Sequence, residues 1–120
     1  MLKTKIGLKG EEIAKAYLQK NKVCILKEDY RFLKCQVDLI GFYQNRIIAY
    51  EVKTTQDPTY EEHLIYRLSA RQLQRIQKAT FHFMKTHGIY KEMQVDFLGI
   101  TLVDQVSSIQ HIADIQYFIG

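Results

Sequence analysis

The sequence predicts an α/β (α+β) fold, a mixed sheet flanked by two main helices, with elements in the order α-β-β-β-α-β and an additional terminal piece. Three observations carry this expectation. Two stretches repeat apolar residues at helical spacing, which makes amphipathic helices that need a sheet to cover. Two runs rich in Val, Ile, Tyr, Phe and Leu flank the polar pair Gln44-Asn45, as in a hairpin. The second run, Ile47-Ile48-Ala49-Tyr50-Glu51-Val52, is apolar at nearly every position, as expected of a strand covered on both faces.

Taken in order, the first helix runs from about Thr4 to Asn21. Ile6, Gly10, Ile13, Ala14, Tyr17 and Leu18 form its apolar stripe. A mid-helix glycine costs about 1 kcal/mol relative to alanine, so Gly7 and Gly10 imply a close approach of the backbone to the sheet or to a ligand. Val23-Cys24-Ile25-Leu26 reads as a short first strand, and residues 27–34 as a polar, basic connection. Arg31 and Lys34 in that connection precede the hairpin, within reach of a phosphate.

The hairpin fixes the chemistry. A two-residue loop at Gln44-Asn45 sets Tyr43 opposite Arg46, Ile40 opposite Ala49, Asp38 opposite Glu51 and Gln36 opposite Lys53. Cross-strand Cβ atoms lie about 5 Å apart and alternate residues share a face, so Asp38, Glu51 and Lys53 converge. Two facing carboxylates destabilise a strand pair unless a cation, a shared proton or solvent relieves them. A divalent metal is the economical answer: Mg²⁺ takes one or two carboxylates plus waters and substrate phosphate.

Beyond the hairpin, residues 55–66 read as a polar loop containing the sole proline, Pro58, and as a flexible flap. Ser69-Ala70-Arg71-Gln72 is a capping box, with Ser69 as N-cap and Gln72 reaching back to it, and Gly88 is the stop. Between them Leu73, Ile76, Thr80, Phe83 and Met84 form the core stripe, while Arg71, Arg75, Lys78 and Lys85 decorate other faces. Residues 93–102 alternate as a further strand. Residues 106–120 hold a last strand and an apolar tail.

Composition bounds the rest. The 120 residues, 47% of them hydrophobic and 25% charged, suit one globular domain spanning 1–120. Cys24 and Cys35 lack metal-ligand spacing and read as reduced thiols, which favours a cytoplasmic protein. No apolar run approaches membrane-spanning length, so no membrane partner is expected. Residues 1–55 hold 11 Lys and Arg against 6 Asp and Glu (+5), whereas residues 56–120 hold 6 against 7 (−1). The basic excess thus accompanies the carboxylate hairpin, and an anionic partner such as nucleic acid follows naturally.

Asp38 followed by Glu51-Val52-Lys53 resembles the D…(D/E)xK signature of restriction-endonuclease-like nucleases, whose αβββαβ core has this element order. Gly7-Leu8-Lys9-Gly10-Glu11-Glu12-Ile13-Ala14 resembles the GxxGExxA opening of the YraN-like family, and Asp29-Tyr30-Arg31 its Asn-x-Arg segment. Val95-Asp96-Phe97 follows in the family's order. That family is related in fold to archaeal Holliday-junction resolvases. The resemblance implies a Mg²⁺- or Mn²⁺-dependent endonuclease acting on DNA, branched or damaged. The metal would be held by Asp38, Glu51 and the carbonyl of Val52, with Lys53 orienting water and Glu11 approaching from the helix end. Arg31, Lys34, Thr55 and Arg71 are the expected nucleic-acid contacts.

Four positions depart from the family pattern: Cys35-Gln36 stands where Gly-Glu is usual, Thr55 replaces an arginine, and Gln72 replaces a lysine. Each loses a charge or a glycine. Gln36 and Gln72 are therefore accessory, with Gln36 left only an amide oxygen for a metal-bound water. Two alternatives stay open beside the nuclease. One is a nucleic-acid-binding domain of the same fold with weakened turnover; the other is an interaction protein using the apolar tail, residues 109–119, as a homodimer surface.

Overall fold

A computed structural model describes residues 3–117. Its elements are α1 (Lys5–Lys20), β1 (Cys24–Phe32), β2 (Cys35–Tyr43), β3 (Arg46–Thr55), a 3-10 helix (Pro58–Arg67), α2 (Ala70–Thr86), β4 (Glu92–Val103), β5 (Val106–Ile112) and a final 3-10 turn (Ile115–Tyr117). The five strands form one sheet in sequence order. β3 and β4 are parallel, the other neighbours antiparallel. This mixed α+β arrangement is compatible with the restriction-endonuclease-like core that the motifs imply.

Helical periodicity becomes two layers. α1 lays Ala14 and Leu18 on Leu39, Ile48, Tyr50, Leu98 and Ile100. α2 lays Leu73, Ile76, Ala79 and Phe83 on Ile40, Ile47, Ala49, Val95 and Phe97 on the opposite face. β3 contributes alternately to both layers, so its near-continuous apolar sequence is explained by double coverage. Each fully buried Leu, Ile or Val contributes about 1.5–3 kcal/mol, which makes these two layers the main source of stability.

The caps follow the sequence. Thr4 Oγ1 accepts from Gly7 N at 3.0 Å, and Ser69 Oγ accepts from Gln72 N at 3.1 Å. Gly88 ends α2 at φ +63°. Gly10 explains its own cost: a Cβ there would stand 1.9 Å from Thr54 Oγ1, so only glycine lets α1 sit this close to β3.

Three expectations about elements need correction. The basic connection at residues 27–34 is strand through Phe32, because an edge strand exposed to water tolerates polar residues that an apolar-run criterion rejects. The expected flap is a packed 3-10 helix: Leu64 and Leu68 are buried in the α2-side core and Asp57 caps it by accepting from Thr59 N. The tail is partly core, with Ile115 fully buried and Ile112 packed against the α2-side cluster. Phe118 and Ile119 of the proposed dimer surface lie outside the described residues.

Candidate functional site

The site begins where the sheet opens. Gln44 and Asn45 both adopt left-handed backbone (φ 49° and 63°), as a two-residue type I′ turn requires, and set Tyr43 opposite Arg46 as expected. Pairing continues through Ile40–Ala49 to Leu39–Tyr50 and stops there. By the alternation of an antiparallel ladder, the next bonding pair would be Val37 with Val52. Instead, Val52 N donates to Asp38 Oδ2 at 2.8 Å. Val37 and Ile40 both face the α2-side core while Leu39 faces the other, so the strand's alternation breaks around Asp38.

The break has a counterpart in β1. Asp29, between the Glu28–Leu39 and Tyr30–Val37 pairs and thus opposite Asp38, has φ 49°. A left-handed non-glycine residue inside a strand costs on the order of 1 kcal/mol, a modest strain located where the site is built.

Through this opening, side chains from both layers reach one cleft of about 370 Å³, lined among others by Lys3, Glu11, Gln36, Asp38, Glu51 and Lys53. Asp38 and Glu51 are buried, 8% and 5% exposed. From the α1 side, Lys3 Nζ lies 2.6 Å from Glu11 Oε1, 3.3 Å from Asp38 Oδ1 and 3.7 Å from Asp29 Oδ1. From the α2 side, Gln72 Nε2 donates to Glu51 Oε2 at 2.6 Å, and Lys53 Nζ stands 3.6 Å from the same oxygen.

The electrostatics show two carboxyls that do not both stay charged without a further cation. Burial first, and then the hydrogen bond and charge of Asp38, push the Glu51 carboxyl up to about 9, with Lys53 pulling the other way. Glu11 is raised as well, mainly by burial and against the bond from Lys3. For Lys3, burial works to lower the pKa, but Glu11, Asp38 and Asp29 outweigh it and the ammonium is held charged more strongly than usual. The ammonium is thus lodged among three carboxylates, of which Asp38 belongs to the buried pair.

The donor set suits a hard cation. Among the described residues no three His, Cys, Asp or Glu side chains are gathered into a metal cage. Mg²⁺ needs no such cage, because one or two carboxylates with waters suffice. In an extended strand the N–H and C=O of one residue point the same way, so the Val52 carbonyl lies on the edge where its N–H meets Asp38. Two carboxylates and one carbonyl, all oxygen, thus line a single opening.

The sequence-derived residues divide accordingly. Asp38, Glu51, Val52, Lys53, Glu11, Gln36 and Gln72 all line the cleft. Lys34 and Arg71 lie apart from it, in a neighbouring groove. Five details are corrected. The β2–β3 ladder ends at Leu39–Tyr50, so Asp38 and Glu51 are not the ladder partners expected. Gln36 is not held opposite Lys53: it pairs with Arg31 in β1, and its Nε2 donates to Asp29 Oδ1 at 2.8 Å. Gln72 does not reach back to Ser69, since its amide donates instead to the buried Glu51 carboxyl. Thr55 is no nucleic-acid contact, because its hydroxyl is buried and accepts from Asp57 N at 3.1 Å. Arg31, expected as a nucleic-acid contact, is exposed on the edge strand, its Nε 3.4 Å from Asp29 Oδ1, and lies outside the cleft. Lys3 and Asp29 were missed as site residues; the signal for Asp29 was its place in the Asn-x-Arg-like segment, and Lys3 left none.

No helix among the described residues is long and apolar enough to cross a membrane. The profile of the uncharacterised protein family UPF0102 matches residues 10–100. A UPF0102 protein of Christiangramia forsetii is 32% identical over 113 residues, covering 94% of each chain. UPF0102 proteins of Syntrophomonas wolfei (30% over 111 residues, 89% of this chain and 93% of the relative) and Coxiella burnetii (25% over 118 residues, 97% and 98%) are similar over nearly the same span.

Proposed function

This chain belongs to the uncharacterised protein family UPF0102, the YraN-like family, and from that footing we propose that it is a metal-dependent phosphodiester hydrolase, endonuclease-like and acting on DNA. The observation that carries the reading is the buried Asp38–Glu51 pair at the sheet opening, whose mutual repulsion calls for a cation that Lys3 only partly supplies. Asp38, Glu51 and the Val52 carbonyl would hold Mg²⁺ or Mn²⁺, which would supply an acidified water and charge neutralisation at the scissile phosphate.

The protein's own groups set the geometry. Val52 N fixes Asp38 Oδ2 and Gln72 fixes Glu51 Oε2, which leaves Glu51 Oε1 to the cleft and Asp38 Oδ1 to the Lys3 ammonium. Lys53, anchored near Glu51, offers its ammonium to the attacking water or the developing negative charge. Lys3 bridges Glu11 of α1 and Asp38 of β2, at 2.6 and 3.3 Å, and so couples the helix to the metal-side carboxylate.

A second reading, a nucleic-acid-binding domain with weakened turnover, has one observation in its favour: Gln36 donates to Asp29 where a glutamate would bring a proton acceptor. Incubation with linear and branched DNAs in Mg²⁺ and Mn²⁺ tests both. Wild-type cleavage lost in Glu51→Gln is expected. Binding without cleavage in either metal would favour the second reading, and cleavage surviving in Glu51→Gln would remove the chemistry from this cleft.

A further inference from the structure

A second groove, of about 610 Å³, runs between the β1–β2 turn and α2, and no acidic residue lines it. Its cations are Lys34 on the turn and Arg71, Arg75 and Lys78 on the helix. The three helical ones follow at i, i+4 and i+7, one stripe about 10 Å long. Nucleotides in one strand of a duplex advance by about 3.4 Å, so the stripe spans about three steps.

The groove is also held open. Phe32, at the base of the turn, stacks on His82 of α2 with ring centroids 3.7 Å apart, and Tyr30 Oη bonds His82 Nδ1 at 2.5 Å. The turn is therefore pinned to the helix, with its tip free. At that tip Leu33 is 78% exposed at φ 56°, an apolar side chain presented to solvent beside Lys34. Proteins that engage nucleic acid use such side chains against sugars and base faces.

Position ties the groove to the carboxylate cleft. Arg71 directly precedes Gln72, which bonds Glu51, so the cationic stripe begins one residue from the cleft. The cleft itself sets Lys3, Lys53 and Arg67 against Glu11, Asp38 and Glu51, and the stripe extends the positive charge away from it along α2.

We propose that this groove is a phosphate track: it grips the backbone of a nucleic-acid strand at Lys34, Arg71, Arg75 and Lys78 while the strand passes the carboxylate cleft. The inference rests on the phosphodiester reading of that cleft. It takes its phosphate contacts mainly from the half of the chain whose net charge is negative, so overall charge conceals it.

The test uses the full chain carrying Glu51→Gln, in EDTA, so that binding is read without cleavage. Fluorescence anisotropy against a 30-base-pair duplex and one of its single strands gives log K against log salt. Each lost phosphate contact removes about 0.9 from the slope for duplex and about 0.7 for a single strand. Arg75→Gln with Lys78→Gln should therefore flatten the slope by about 1.8 on duplex or about 1.4 on single strand, with unchanged melting. The charge-matched pair Lys20→Gln and Lys91→Gln, both exposed and outside the groove, should leave the slope within about 0.5 of its starting value.

Equal flattening by both pairs, or none by the groove pair, overturns the track. So does a protein that ignores both oligonucleotides yet sediments with anionic phospholipid vesicles through Arg75 and Lys78. The cleft is judged separately, by cleavage with wild-type Glu51. A groove-dependent slope without cleavage leaves the track standing and the hydrolase reading fallen, and cleavage with an unmoved slope does the reverse.

Discussion

Adjacent parallel strands each bury one acid, and the two acids live under opposite conditions. Tyr50 pairs with Asp96 and Glu51 with Phe97, so the acids belong to neighbouring rungs of the β3–β4 ladder. Asp96, 2% exposed, is ringed by donors: Gln94 Nε2 at 2.7 Å and Asp114 N at 3.1 Å reach Oδ1, and His111 Nε2 at 2.7 Å reaches Oδ2. The ring extends outward, since Arg46 Nη1 donates to Gln94 Oε1 at 2.9 Å and Tyr17 Oη meets His111 Nδ1 at 2.9 Å. Glu51 instead faces Asp38. Burial alone does not mark a functional acid: a carboxylate surrounded by donors holds the fold together, and one facing its like calls for a ligand.

The largest effect expected from this contrast falls on the satisfied acid. Asp96→Ala strands His111, Gln94 and the Asp114 N–H, and should lower stability by about 3 kcal/mol in a urea titration. Glu51→Gln should act in the opposite direction in metal-free protein. Its folded pKa, about 9, lies above the ordinary 4.5, so the contribution of the protonated form is complete below pH 4.5 and is lost as pH rises to 9. Wild-type stability should therefore fall across that window, while Glu51→Gln is flatter and about 1–3 kcal/mol more stable at pH 8. Matching pH profiles would show that the carboxylates do not repel.

Smaller effects sharpen the same contrast. Lys3→Met empties the place held by the ammonium, so Mg²⁺ affinity measured by calorimetry should rise two- to fivefold, equivalent to about 0.5–1 kcal/mol for a partly exposed ion pair. Unchanged affinity would make Lys3 a bystander. Gln36→Glu sets a carboxylate against Asp29, and should lower the metal-free melting point slightly while raising Mg²⁺ affinity about twofold. A lowered affinity there would mean that Asp29 and Gln36 serve the fold alone.

What the sequence carried was local and periodic. The 3.6-residue stripes located both helices, and the Gln44-Asn45 turn set the register as far as Leu39–Tyr50; Asp38, Glu51 and Lys53 line one cleft, although the ladder expected to pair Asp38 with Glu51 ends one rung earlier. What it did not carry depends on tertiary context. That the strands part before Asp38 depends on a side chain outcompeting a ladder bond for Val52 N, and no pattern of residue types encodes that choice. Lys3 enters the cleft because α1 packs against β3 at Gly10, and the glycine predicted the close approach without saying what would be carried in. The polar segment 58–67 reads as a loop in the sequence because Leu64 alone is buried within it, too little to show a period.

The central claim is that the Asp38–Glu51 pair is completed by a divalent cation. Thermal melting of wild type and Asp38→Asn across a Mg²⁺ titration tests it without depending on any substrate. Binding to the folded state alone stabilises by RT ln(1 + [Mg²⁺]/Kd), so the wild-type midpoint should climb with the logarithm of concentration once the site fills. Asp38→Asn, which keeps the shape of the side chain and removes its charge, should stay level. Parallel climbs in both proteins, or a wild-type midpoint that does not move through millimolar Mg²⁺, would contradict the metal site.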